Sequence, residues 1–233
     1  MSSDICFTLI NRLTQNTGQS VLVYMLPVVD RVATDLFLSA WQVLNPSANG
    51  GSQRFSYRGR LQLAVEYEPT CCRSALVDVR PNQLYHVTNS DNQGPTLTLS
   101  YAESPPSAKQ VAVRNDTDPP LDLSVLWYMD GQPIAVQRGL NLGARTTLQL
   151  SLAFYFMVAT PKFKGMLDQF SEEFIYLAPA DDVFQSVAMQ RAYRLTPGVR
   201  QVEVNWLRPG GLSSADVLLF NPPSSTALPV PLT

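Results

Sequence analysis

One histidine, three cysteines and two groups of carboxylates are the side chains of this 233-residue chain able to do covalent, acid–base or metal chemistry. A His-assisted nucleophile needs its base within hydrogen-bond reach, and the sole histidine is His86, beside Tyr85 in a strand-like run. Cys71 and Cys72 are the thiols it would activate. A lone strand histidine is more often structural, and no catalytic role is assigned to it. Glu66 and Glu68 are two apart, which in a strand places both carboxylates on one face, an arrangement suited to glycoside hydrolysis or calcium binding. Their alternation with Val65 and Tyr67 is met more simply by a solvated face. Asp116, Asp118 and Asp122 start like a calcium loop but lack its glycine and closing glutamate, so turn chemistry accounts for them. Cys6 with the adjacent Cys71 and Cys72 makes a poor disulfide framework and falls short of a metal site. No HExxH, GxSxG, phosphate-loop or dinucleotide fingerprint occurs. The expectation is therefore no catalytic, cofactor-binding or metal-binding residue, and no enzyme.

Aromatic side chains are the remaining resource. Trp41, Trp127 and Trp206, with Tyr24, Tyr57 and Tyr128, would stack on sugar rings if exposed. Tryptophan in a strand is usually core. Trp127 and Tyr128 are adjacent and point to opposite faces of a strand, which predicts that at least one reaches the surface.

Short strands must position these residues. In 110–136 (QVAVRNDTDPPLDLSVLWYMDGQPIAV), Val111 and Val113, then Leu123, Val125 and Trp127, alternate with period 2. Asn115 to Pro120 are turn formers and Asp130-Gly131 is a hairpin signal. The segments 6–10 and 21–25 form an earlier strand pair, and a constant step relates the two regions. Phe7, Asn11, Val21, Leu22 and Tyr24 map onto Val111, Asn115, Val125, Leu126 and Tyr128 at 104 residues, and 61–65 maps onto 154–158 at 93. The spacing of strands and turns predicts an all-β fold of two related antiparallel β-sandwich units, jelly-roll or immunoglobulin-like. The units are placed at 1–103 and 110–221, with 104–109 as linker and 222–233 as a proline-rich tail. Leu167, Phe170 and Phe174 recur at helical spacing, predicting at most one short helix, over 164–175.

Composition excludes several classes. A net charge of −2 with scattered basic residues gives no footprint for nucleic acid. No apolar run approaches the roughly 18 residues of a membrane span. The first residues lack a basic n-region and a long apolar core, predicting a cytoplasmic protein or one released without a signal peptide. Only 15% of residues are charged, against about 25% in typical soluble domains. More neutral surface than usual must then face water or a partner.

The runs FTLINRLTQ, VLVYMLP and LFLSAWQVL in the first half, with VRNDT and LSVLWYMDGQPIA in the second, resemble the RhiA-like family. These are soluble bacterial and fungal β-proteins typified by the rhizosphere-expressed RhiA protein. The similarity covers 7–11, 21–24 and 36–43 best. It implies an all-β, non-secretory product without a known catalytic site, and carries no functional residue over. The expected function is a non-enzymatic structural or interaction protein, a homo-oligomer that self-associates through its sandwich surfaces and its C-terminal tail. The alternative is a lectin-like carbohydrate-binding module, with a glycan or protein ligand and no cofactor.

Overall fold

The computed structural model describes residues 4–15, 18–28, 35–67, 69, 72–90, 94–100, 107–159, 176–187, 192–194 and 201–206. Expectations for the helix at 164–175, for 104–106, for Glu68 and Cys71, and for the tail 222–233 lie outside these residues. In chain order the strands are β1 (Ile5–Asn11), β2 (Val21–Pro27), β3 (Leu36–Leu38), β4 (Gln42–Leu44), β5 (Ser52–Tyr57) and β6 (Leu61–Tyr67). They continue as β7 (Cys72–Arg73), β8 (Val77–Asp78), β9 (Gln83–Ser90), β10 (Gly94–Ser100), β11 (Val111–Asn115) and β12 (Leu123–Met129). The last are β13 (Gln132–Leu140), β14 (Arg145–Leu148), β15 (Leu150–Val158), β16 (Ala178–Pro179), β17 (Ala192–Arg194) and β18 (Gln201–Trp206). Helix α1 (Ala180–Val187) lies between β16 and β17 and is the one helix among the described residues. The fold is all-β, of sandwich type, with predominantly antiparallel sheets.

Two compact units divide the chain, and they interleave along it. The first draws on Met1–Leu26, Ser39–Gly59 and Leu152–Thr233; the second draws on Pro27–Leu38 and Arg60–Ser151. Sequence patterning instead set one unit on each side of 104–109. The difference arises from long-range pairing, which local patterns do not announce. β1 hydrogen-bonds in parallel with β18, from Cys6 opposite Gln201 to Asn11 opposite Trp206.

In the first unit, a three-stranded sheet in the order β18-β1-β5 packs against a four-stranded sheet in the order β17-β15-β2-β4. Burial alternates along β1: Ile5, Phe7 and Leu9 are buried and the residues between them are half-buried. Phe7 stacks on Phe55 at 4.9 Å between ring centroids and meets Phe154 of the facing sheet at 4.8 Å. Trp41 stands edge-on to Phe55 and Tyr57 at 5.5 and 5.9 Å. Such edge-on and offset pairs add about 0.5–1.5 kcal/mol each beyond the burial of their surface.

In the second unit, a sheet in the order β10-β9-β11-β14 accompanies a sheet in which β3, β13, β12 and β6 are successive neighbours, with β7 and β8 both on the far side of β6. The β12–β13 hairpin turns at Asp130 and Gly131, with φ of 54° and 80°. Two successive positive φ angles are what an Asp-Gly pair supplies to a tight hairpin. Asn115, at the end of β11, is fully buried and donates through Nδ2 to the carbonyls of Leu121 and Leu140, at 2.7 and 2.6 Å. Its Oδ1 accepts from the Thr117 N–H at 3.1 Å. Each polar atom of the buried amide thus has a partner, and the turn that leads to β12 is held in place.

Candidate functional site

His86 lies on β9 in parallel register with Arg114 of β11. Asp116 follows β11 directly, and its backbone N–H donates to the Val87 carbonyl at 2.9 Å, which draws its carboxylate to the imidazole. His86 Nδ1 bonds Asp116 Oδ2, and Arg114 Nε lies 3.0 Å from Asp116 Oδ1. A carboxylate that orients an imidazole supplies two members of a hydrolytic triad, and the third must be a nucleophile on the far ring nitrogen. Cys72 sits on β7, opposite Tyr67, in the other sheet of the unit. The sequence had linked His86 to cysteine; the fold links it to Asp116.

The other candidates are placed as follows. Glu66 does not face water as its alternation predicted: it accepts from Arg73 Nε at 2.7 Å and Nη2 at 2.5 Å, and the same guanidinium donates through Nη1 to the Tyr128 hydroxyl at 3.1 Å. Both donors meet the same carboxylate oxygen, Oε2, and the contact follows from the β6–β7 register, which sets Glu66 opposite Arg73. Asp118 N–H donates to Asn89 Oδ1 at 2.7 Å, a turn contact. Among the described residues no three His, Cys, Asp or Glu side chains converge as metal ligands. Trp41, Trp127 and Trp206 are at most 1% exposed, and Tyr24, Tyr57 and Tyr128 at most 8%. The prediction that Trp127 or Tyr128 reaches the surface is therefore corrected. β12 lies between β6 and β13 and is buried along its whole length, so alternation along it chooses between two interiors.

A recess that sequence reasoning missed opens in the second unit. It has a volume of about 610 Å³ and is lined by Asp35, Asp122, Leu123, Ser124, Arg138 and Gly139, among others. The β12–β13 register slips between Leu123 and Val125, which opens the ladder at this end. Gly139, at φ +71°, lets the chain bend there, and Arg138 N–H donates to the Asp35 carbonyl at 3.0 Å. Bulges of this kind commonly re-aim side chains beside binding sites. Two carboxylates, a hydroxyl and a guanidinium present acceptors and donors suited to a hydroxylated or zwitterionic ligand. Asp35 and Arg138 lie 103 residues apart (138 − 35), so no local motif joins them. The signal available was Gly139 inside an otherwise strand-like run.

Compared with known proteins, the chain matches no family model, no curated protein and no solved structure.

Proposed function

We propose that this protein is a non-enzymatic structural or interaction protein that self-associates through neutral β surfaces, with the tail 222–233 as a further connector. One observation carries the proposal. The outermost strands β4 and β10 have a ladder partner on one side only among the described strands, and neither contains a charged residue. Soluble β-proteins ordinarily guard such edges with lysine or other charges, because bare N–H and C=O groups template a strand from another molecule. Pro95 removes one donor from β10 and leaves the remaining residues able to pair. The low charge content of the whole chain, 15%, points the same way.

Light scattering and negative-stain electron microscopy of the full chain test this. A concentration-dependent oligomer or filament is expected, weakened by the double change Thr96→Lys and Thr98→Lys on β10 and by truncation after Asn221. A monodisperse monomer at high concentration would sink the proposal. A second reading, a lectin-like module, draws on the recess, whose carboxylates suit sugar hydroxyl groups. It requires glycan binding that disappears in Asp35→Asn, and a glycan array without binders removes it.

A further inference from the structure

The two units pair their strands in matching registers. β1 runs antiparallel to β5 with Phe7 opposite Phe55, and β11 runs antiparallel to β14 with Val111 opposite Leu148. β2 runs antiparallel to β4 with Leu22 opposite Val43, and β12 to β13 with Leu126 opposite Val136. Two constant steps convert one set into the other. The step is 104 residues for β1 and β2 (111 − 7, 126 − 22) and 93 for β4 and β5 (136 − 43, 148 − 55). Hydrogen bonds outside the ladders follow the same steps. Asn11 N–H donates to Gly51 O as Asn115 N–H does to Ala144 O, and Gly50 N–H donates to Asn11 O as Gly143 N–H does to Asn115 O. The N–H groups of Leu13 and Thr117 each donate to the Oδ1 of the asparagine two residues before.

The parallel strands reveal which half of the chain completes which unit. β1 is flanked by β18, with Phe7 opposite Val202 and Asn11 opposite Trp206. β11 is flanked by β9, with Val111 opposite Gln83 and Asn115 opposite Val87. β9 is therefore the counterpart of β18, 119 residues earlier (202 − 83, 206 − 87). The seam bonds agree, since Arg12 N–H donates to Trp206 O where Asp116 N–H donates to Val87 O. The side-chain pair beside the seam is matched as well: Arg12 Nε donates to Asn205 Oδ1 at 2.8 Å, in the place that Asp116 and His86 occupy in the second unit. β6 borders β12 as β15 borders β2. On their outer sides, Gln62 faces Asp78 of β8 where Tyr155 faces Ala192 of β17.

Strand order along the two halves is thus the same, but completion is crossed. β1, β2, β4 and β5 are completed by β15, β17 and β18 from the far half. β11 to β14 are completed by β6, β8 and β9 from the near half. The chain changes unit between Gly59 and Arg60 and, one residue short of the 93-residue step, between Ser151 and Leu152. We infer that the chain is two copies of one repeat, 5–90 and 111–206, with seven matched strands in each, that complete each other by reciprocal exchange of β6, β8 and β9 for β15, β17 and β18; β3, β7 and β16 stand outside the match. The partner that each repeat's first four strands accept is the matching end of a second copy, supplied here by the same chain. The inference stands on pairing registers and is independent of the self-association proposed above.

The test uses the full chain with a protease site inserted between Ser107 and Ala108. After cleavage, native size-exclusion chromatography should still give one species of full mass that separates only in denaturant. Separation into two folded halves in native buffer would overturn the inference. A second measurement exploits Cys6, which lies opposite Gln201. Directly opposed strand residues are within disulfide range. In a Cys71→Ser, Cys72→Ser background, Gln201→Cys should form a bond to Cys6 that holds the cleaved chain at full mass on a denaturing, non-reducing gel. Reduction should then release two fragments. Asn82→Cys, at the counterpart of Gln201 (201 − 119), reports the uncrossed arrangement, in which β1 would take β9 as its neighbour; it should keep both thiols free. Loss of both thiols in Asn82→Cys, or a Gln201→Cys bond that links two chains rather than one, would overturn exchange within the chain.

Discussion

His86 and Asp116 show how much a residue's neighbours decide its meaning. In the first unit the matching seam holds Arg12 and Asn205, a pair with no acid–base chemistry to offer. The seat therefore asks for two side chains that close a parallel seam, and imidazole with carboxylate is one solution. Replacing His86 by Asn, Asp116 by Arg and Arg114 by Ile installs the first unit's residues. This triple variant should unfold within about 1 kcal/mol of the wild type in urea, whereas Asp116→Ala, which strips His86 of its hydrogen-bond partner and Arg114 of its ion-pair partner, should lose about 1–3 kcal/mol. A pH-dependent activity abolished by the triple variant would instead make the pair catalytic. Tyr24 gives a second residue-level expectation. Its hydroxyl donates to the Tyr176 carbonyl at 2.8 Å, and burial, then the neighbouring Tyr176 phenol, push its pKa above the ordinary 10.0. A proton held more tightly when folded stabilises the protein fully below the unfolded value, and that contribution is lost as pH rises past about 10. Melting temperature should fall more steeply above pH 10 in wild type than in Tyr24→Phe, which at pH 7 should lose about 1 kcal/mol with its hydrogen bond.

Among the elements, β15 brings Phe154 and Phe156 into the first unit's aromatic core. Phe154→Ala should lower stability by about 3–5 kcal/mol, while Tyr155→Ala, on the half-buried face, should change it far less; urea midpoints measure both. Gly51 sets a backbone limit of another kind, since a methyl group there would collide with the Ser47 carbonyl. Gly51→Ala should destabilise the first unit by shifting the 47–51 loop, and Gly50→Ala should act only through its φ of +89°. These elements also mark what a sequence can express. The strand at 6–10 and the Asp130-Gly131 turn are local, and both are where they were expected. Burial of both faces of β12 is not local, because it depends on what covers each side. α1 was missed although Asp181 and Asp182 follow Pro179, a fair helix start, because eight residues offer too few turns for periodicity to stand out. The recess was hidden for the same reason as the β1–β18 seam: its walls meet only after the chain has folded.

At the scale of the whole molecule, interleaving ties the two ends of the chain into one unit. The contact between β1 and β18 joins residues 195 apart, from Cys6 to Gln201. Deleting 201–206 should therefore leave β1 paired to β5 alone and raise its amide exchange, while β11, paired to β9 and β14, keeps its protection. Hydrogen-exchange mass spectrometry would read this directly, and equal loss in both strands would contradict it. The same connection fixes an order of events during synthesis. The second unit has all its strands once residue 151 is made, whereas β1, β2, β4 and β5 wait for residues 152–206. At roughly 5–20 residues per second, the 55 residues of 152–206 (206 − 151) take about 3–11 s. Through that interval β1 and β2, paired only to β5 and β4, lack β18 and β15 on their other sides, and a nascent chain from the same message offers them the same missing strands.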